Sequence, residues 1–201
     1  MKDNLKKNIS VISIFSIILI AGLFVVQDYG VSQDEYANRF HGIVALNYIG
    51  EIFFPSLTET ITENKSIPSY DDQYLGKFYG SYYYAFVGIL EFLFNIDDKY
   101  SQFLLRHYVN FIIFFISSIF FYLILKIRFK NNIIIFLGIL LYLSSPRIFG
   151  QSFYNNKDII FLSLLTINFY FFFRVIDHKS VKNIFLFSIF SALTCATRVV
   201  G

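Results

Sequence analysis

Long runs of apolar residues alternate with short polar stretches along this chain, and the first run, Ile9 to Val26, follows a lysine-rich start with Lys2, Lys6 and Lys7. A membrane-spanning helix needs about 20 mostly apolar residues, somewhat fewer where its ends reach the headgroups. On that basis the pattern predicts five crossings, at 9–26, 109–125, 133–145, 159–173 and 184–197, the shorter ones extended by flanking Tyr, Asn and Ser. The first run resembles a secretory signal, but its core is long and no A-x-A site follows, so it reads as a retained anchor. Residues 82–96 are also apolar, interrupted by Gly88 and Glu91, and their status decides the topology. If they do not cross, the basic segments at the N-terminus, at Lys126 to Lys130 and at Arg174 to Lys182 all face the cytoplasm, as the positive-inside rule prefers. If they cross, the latter two are thrown outside. The chain is therefore expected to be all-α, a polytopic transmembrane helical bundle with its N-terminus inside and 82–96 lying at the interface or re-entering from it.

The segment 27–108 between the first two crossings is too long for a passive connector. Within it, Asn38 to Phe54 gathers Phe40, Ile43, Val44, Leu46, Phe53 and Phe54 towards one side at helical spacing, imperfectly because Asn47 falls in the stripe, and Pro55 is its stop signal. With 82–96 it supplies extracytoplasmic interfacial helices. Thr58 to Tyr74 is polar and reads as a mobile loop, and the sequon at Asn64 as a chance match. The whole of 1–201 reads as one partial transmembrane domain.

Composition agrees with this and narrows the function. Hydrophobic residues make up 56% and charged residues 15%, whereas a soluble domain is about 25% charged, which argues against an ordinary soluble enzyme. A net charge of +3 without a basic block argues against a nucleic-acid partner. The single cysteine, Cys195, rules out an internal disulfide and a thiolate metal site, and its small apolar neighbours make it a packing residue.

Three polar clusters remain. Asp34 and Glu35 stand just beyond the first crossing, where an acid near the lipid boundary can serve as general base towards a hydroxyl. Ser32 followed by Glu35 also matches a capping box, so both readings stay open. Arg39, one turn on, is spaced to pair with Glu35, and His41 with the two acids suggests metal ligation, although the spacing matches no metal motif and no metal site is assigned. The second cluster, a short loop from Ser144 to Asp158, carries Arg147 and Asp158 at the ends of two apolar helices, where charge is costly. Asp158 also suits the positive end of a helix dipole, and Lys157 suits a snorkelling anchor. Arg198, after the last crossing, offers a planar fork of donors to a phosphate. The five-crossing topology puts all three clusters on one outer face.

That arrangement, and above all the phrase from Ser144 to Asp158 with Asp34-Glu35 as first motif, resembles the GT-C glycosyltransferases, nearest the protein O-mannosyltransferase and lipid A aminoarabinose transferase group. Members of that family usually have many more spans, so the chain reads as an amino-terminal fragment. The resemblance implies transfer of a sugar from a polyprenyl-phosphate carrier to a lipid, glycan or protein acceptor on the extracytoplasmic side, with membrane lipids as the surroundings. It makes Asp34 the base. Glu35 and Asp158 would orient the acceptor or hold the arginines, Arg147 or Arg198 would stabilise the departing phosphate, and Arg39 and His41 would line the substrate site. No cofactor is required, and a divalent metal is left open. An abundance of Ile, Phe, Asn and Lys suggests an AT-rich bacterial genome and hence an inner membrane. The competing class, a non-catalytic polytopic protein such as a transporter subunit or assembly factor, is expected to place polar positions at mid-membrane, where this chain carries mainly Ser, Thr and Asn168.

Overall fold

The computed structural model describes residues 2–53, 55 and 80–198, with side chains from residue 11 onward in those ranges; the polar stretch Thr58 to Tyr74 and the Asn64 sequon lie outside the described residues. Among them the chain is helical and free of strands. In order come α1 (Lys2–Val25), a 3-10 turn (Val26–Asp28), α2 (Gln33–Phe53), α3 (Tyr82–Leu93), α4 (Lys99–Arg128), α5 (Asn132–Ser144), α6 (Pro146–Tyr154), α7 (Asp158–Asp177) and α8 (Val181–Thr197). Three stretches, Val11–Asp28, α4 and α7, are long and apolar enough to cross a membrane, and α5 with α6, bent by 52° at their junction, makes a fourth if counted as one broken span. At about 1.5 Å per residue, α3 with 12 residues and α8 with 17 reach only about 18 and 25 Å against a hydrocarbon core of about 30 Å.

Two segments differ from the expectation. Helix α4 begins at Lys99, ten residues before the expected crossing, so the end of the long outer segment is helical. The loop expected between the third and fourth crossings is for most of its length a helix, α6. Pro146 at its first position supplies the φ a helix start needs and gives up an N–H that would have no partner there. Cys195 is exposed, so it is not a core packing residue.

The chain divides into two compact units, 1–30 with 106–194, and 31–105 with 195–201. In the first, Gly22 of α1 is a notch filled by the ring of Phe111 from α4, leaving no space for a Cβ. Phe111 stacks on Phe153 of α6 at 5.1 Å, and Phe153 stacks on Tyr29 at 4.5 Å. The buried Asn110 amide donates to the Ser152 carbonyl at 2.9 Å and so ties α6 to α4. Further along, Phe121 stacks on Tyr142 of α5, Phe120 meets Tyr170 of α7, and Ser191 of α8 donates to Asn168 at 3.0 Å. Asn168 is thus a helix-to-helix tie of the kind that replaces hydrophobic driving force inside lipid. The Arg128 guanidinium lies over the Phe173 ring at 4.9 Å, and the Asn183 amide donates to the carbonyls of Arg174 and His178. The two later basic segments therefore share one end of this unit.

The second unit is built on α2 against α3. A Cβ on Gly42 would come within 2.6–2.7 Å of the Tyr84 backbone, so glycine permits the close approach. Of the stripe expected on α2, Phe40 and Phe53 are exposed whereas Val44 is buried; the packed side is instead Glu35, Asn38, Gly42, Val44 and Ala45. Helix α3 ends in a left-handed residue, Asn95, at φ 51°. The Ile96 N–H bonds to the Glu91 carbonyl and the Asn95 N–H to that of Phe92, the paired closure that satisfies a helix's last acceptors. Asp98 then caps α4 by accepting from the Ser101 N–H at 2.8 Å, and the Gln102 amide donates back to the Ile96 and Asp97 carbonyls. Five residues with both ends closed fix α3 to the head of α4.

Candidate functional site

The two adjacent acids at the start of α2 have different surroundings. Glu35 is 1% exposed, and its carboxylate accepts from the Ser32 N–H at 3.1 Å and the Ser32 hydroxyl at 2.9 Å. This is the return half of the capping box read in the sequence. Asp34, one residue earlier, is exposed. Glu35 is thus committed to the helix start, and Asp34 presents its carboxylate outward from the first turn.

Arg39 does not turn to Glu35. Its Nε and Nη2 both donate to Oε2 of Glu91 on α3, at 3.2 and 2.9 Å, in an ion pair whose side chains are 23% and 8% exposed. A partner 52 residues away replaces the expected neighbour because α3 brings its own carboxylate into the packed face, where burial demands a counter-charge. His41 is half-buried on the same helix. Among the described residues no three His, Cys, Asp or Glu side chains gather as a metal ion would require, so Asp34, Glu35 and His41 do not form a ligand set.

Arg198 belongs to the same unit and is exposed. It follows Thr197, whose hydroxyl lies 2.9 Å from that of Tyr82 at the start of α3. A Cβ on Gly80 would collide with the carbonyl oxygens of Ala196 and Thr197, so the chain passes closely here. Tyr82 and Glu91 are nine residues apart on α3, about 13 Å along its axis. Arg198 and Arg39 are therefore anchored near opposite ends of α3.

Arg147 and Asp158 lie in the other unit. Arg147 is exposed in the first turn of α6, where the helix dipole disfavours a cation, so the helix itself gives no reason for its charge. Asp158 opens α7, where the dipole favours it. Asn155, which the sequence reading passed over, holds that turn: its Oδ1 accepts from the N–H of Asp158 at 2.9 Å and of Lys157 at 3.3 Å, and its amide donates to the Asp158 carboxylate at 3.3 Å. Beside them Tyr29 stacks on Tyr154; burial first, and the neighbouring Tyr154 phenol second, push the Tyr29 hydroxyl above its ordinary value. Asp158 and Arg174 stand near opposite ends of the 20-residue α7, which separates this polar end from the basic one.

Glu91, Arg106 and His107 also escaped the sequence reading as site candidates, and with Glu35 they are the buried Asp, Glu, His, Lys or Arg side chains among the described residues. The one local signal was a charge set inside or directly before an apolar run. A cleft of about 410 Å³ between α1 and α4, lined by Phe15, Leu19, Phe115 and Tyr122 among others, contains no ionisable acid or base besides the tyrosine phenol.

The chain is all-helical among the described residues, with acids and arginines at helix ends, and the family comparison makes it a membrane glycosyltransferase of the GT-C type. Residues 88–200, more than half of the chain, match the family described as dolichyl-phosphate-mannose-protein mannosyltransferase, and the chain belongs to that family. Glu91, Arg147, Asp158 and Arg198 fall inside the matched stretch, and Asp34, Glu35, Arg39 and His41 precede it. No curated protein matches the chain, and no solved structure does.

Proposed function

We propose that this chain serves the transfer of a sugar from a polyprenyl-phosphate donor to an acceptor hydroxyl on the extracytoplasmic face of the membrane. The family's description, which names a dolichyl-phosphate-linked sugar, supports the donor class. In this reading the Asp34 carboxylate takes the proton of the acceptor hydroxyl. The acceptor oxygen forms a bond to the anomeric carbon, the bond from that carbon to the phosphate oxygen breaks, and the lipid phosphate leaves with the electron pair. Arg147 or Arg198 stabilises the charge that collects there. Asp158 orients the acceptor or holds an arginine, Arg39 and His41 contribute to substrate binding, and Glu35 keeps the first turn of α2 in place for Asp34. An N-terminus in the cytoplasm and a bacterial inner membrane complete the proposal.

The observation that carries this assignment is the contrast between the neighbouring acids, one buried and bonded, the other exposed. Asp34→Asn in the full-length protein tests it by sugar transfer in isolated membranes. The expected loss is about 10²- to 10⁴-fold, the usual contribution of a general base, whereas Asp177→Asn at the basic end of α7 retains transfer. Unchanged transfer with Asp34→Asn removes the catalytic assignment.

A further inference from the structure

We infer that Tyr29 and the α6 residues Gly150, Gln151 and Tyr154 form a platform for the sugar ring of the lipid-linked donor, with its phosphate at Arg147; the inference rests on the sugar-transfer reading above. All five residues belong to one compact unit. Arg147 and Gln151 are one turn apart and share a face of α6. The row continues to Asn155, whose amide donates to Gln151 Oε1 at 3.3 Å. Gly150 opens a recess beside that row. Among the described residues a Cβ there would meet only the Tyr29 hydroxyl, at 3.6 Å. Stacking on Phe153 and Tyr154 fixes the Tyr29 ring at the edge of this recess.

The ligand class follows from the groups left unused. Among the described residues the Arg147 guanidinium, the hydroxyls of Tyr29 and Tyr154 and the Gln151 amide N–H groups have no hydrogen-bond partner. Tyr29, Gln151 and Tyr154 are nevertheless half-buried, and such donors are costly unless water or a ligand meets them. A pyranose has C–H bonds on its faces and hydroxyls around its rim, so it suits an aromatic ring edged by hydroxyls and a planar amide. An acyl chain would leave all of these groups unmet. Arg147 instead offers the fork of donors that fits a phosphate, and it stands about 6 Å along the helix from Gln151, near the distance between a phosphate and the sugar ring esterified to it. The depth agrees. Helix α6 runs into the Asp158 end of α7, which is long and apolar enough to cross a membrane, and Arg174 near its other end is about 24 Å away. A tyrosine that merely anchors a helix among headgroups needs neither a fixed stack nor a glycine beneath its hydroxyl.

Gly150→Ala fills the recess while making only an ordinary contact with the Tyr29 hydroxyl, and Gln151→Ala removes the amide. The full-length protein in liposomes is assayed for transfer from polyprenyl phosphate carrying mannose, glucose or arabinose, with sugar-free polyprenyl phosphate as competing inhibitor. Each variant is expected to raise the KM of the donor that is used about 5- to 10-fold, the worth of a hydrogen bond or two. The inhibition constant of the sugar-free lipid is expected to stay unchanged in both, whereas Arg147→Gln raises both quantities. A misfolded protein would not separate the two lipids, and if one platform variant fails to insert, the other carries the test. An unchanged donor KM, an equal rise for the sugar-free lipid, or an Arg147→Gln protein that binds that lipid normally overturns the platform and leaves the sugar-transfer reading intact. Wild-type protein that transfers none of the three sugars removes that reading, and the platform with it.

Discussion

Replacing one partner of the Arg39–Glu91 pair at a time separates a structural ion pair from an incidental one. Breaking a fully buried pair costs about 3–5 kcal/mol, because the survivor is left charged in a poor solvent, whereas replacing both partners with apolar residues of similar volume is often neutral or better. Here the carboxylate is 8% exposed and the guanidinium 23%, so the two single variants are not equivalent. Arg39→Leu strands the more deeply buried charge and is expected to cost about 3–4 kcal/mol. Glu91→Leu leaves an arginine whose long stem can carry its head outward, and is expected to cost only about 2 kcal/mol. The double Leu variant is expected to fall within about 1 kcal/mol of wild type, giving a coupling of several kcal/mol between residues in direct contact. Denaturant unfolding in mixed micelles, followed by helical circular dichroism, reads all four proteins. Single losses that simply add in the double variant would refute the view that α2 and α3 are joined through this pair.

Gly42→Ala drives a Cβ into the Tyr84 backbone, which has no rotamer to change, and is expected to destabilise the second unit by about 1–3 kcal/mol. Gly88→Ala meets only the movable end of the Leu46 side chain and is expected to cost less than about 1 kcal/mol in the same micelle unfolding assay. Asn155→Ala removes the acceptor for the first N–H groups of α7 and is expected to cost about 1 kcal/mol, with faster amide exchange at Lys157 and Asp158. Asp98 has its carboxyl held below its ordinary value of 3.8, by the Ser101 backbone N–H first and the Ser101 side chain second. Its folded-state value is depressed, so its contribution is complete above 3.8 and is lost as pH falls through the lower folded value. The protection of the Ser101 amide, its exchange rate compared with the intrinsic rate at the same pH, is expected to fall in acid and checks that sign.

The helices long and apolar enough to cross a membrane were legible because lipid imposes a simple rule, a long apolar run: 109–125 and 159–173 fall within α4 and α7, and 9–26 overlaps α1 and the turn after it. The Glu35 closure was legible for a similar reason, since a capping box is written in four consecutive residues. Helix α6 was not, because nine residues carrying Pro146, Gly150 and several polar side chains have the composition of a loop, and its helicity depends on Phe149 and Phe153 packing against Phe111. Arg39 was assigned the wrong carboxylate for a related reason. Spacing reveals partners one turn away, whereas Glu91 reaches Arg39 only once two distant helices pack. The candidate site was read as residue types more successfully than as partnerships, and Asn155, which holds Asp158, carried no charge to draw notice.

The ring column from Gly22 through Phe111 and Phe153 to Tyr29 also sets an order of assembly. Translation delivers the notch first, its key much later, and the shelf that supports the tyrosine later still. Helix α1 is therefore made with its notch unfilled and is packed only once α4 and α6 have followed. A chain halted before Phe111 leaves the Gly22 notch unfilled, and one halted before Phe153 has the filling ring without the ring that supports it.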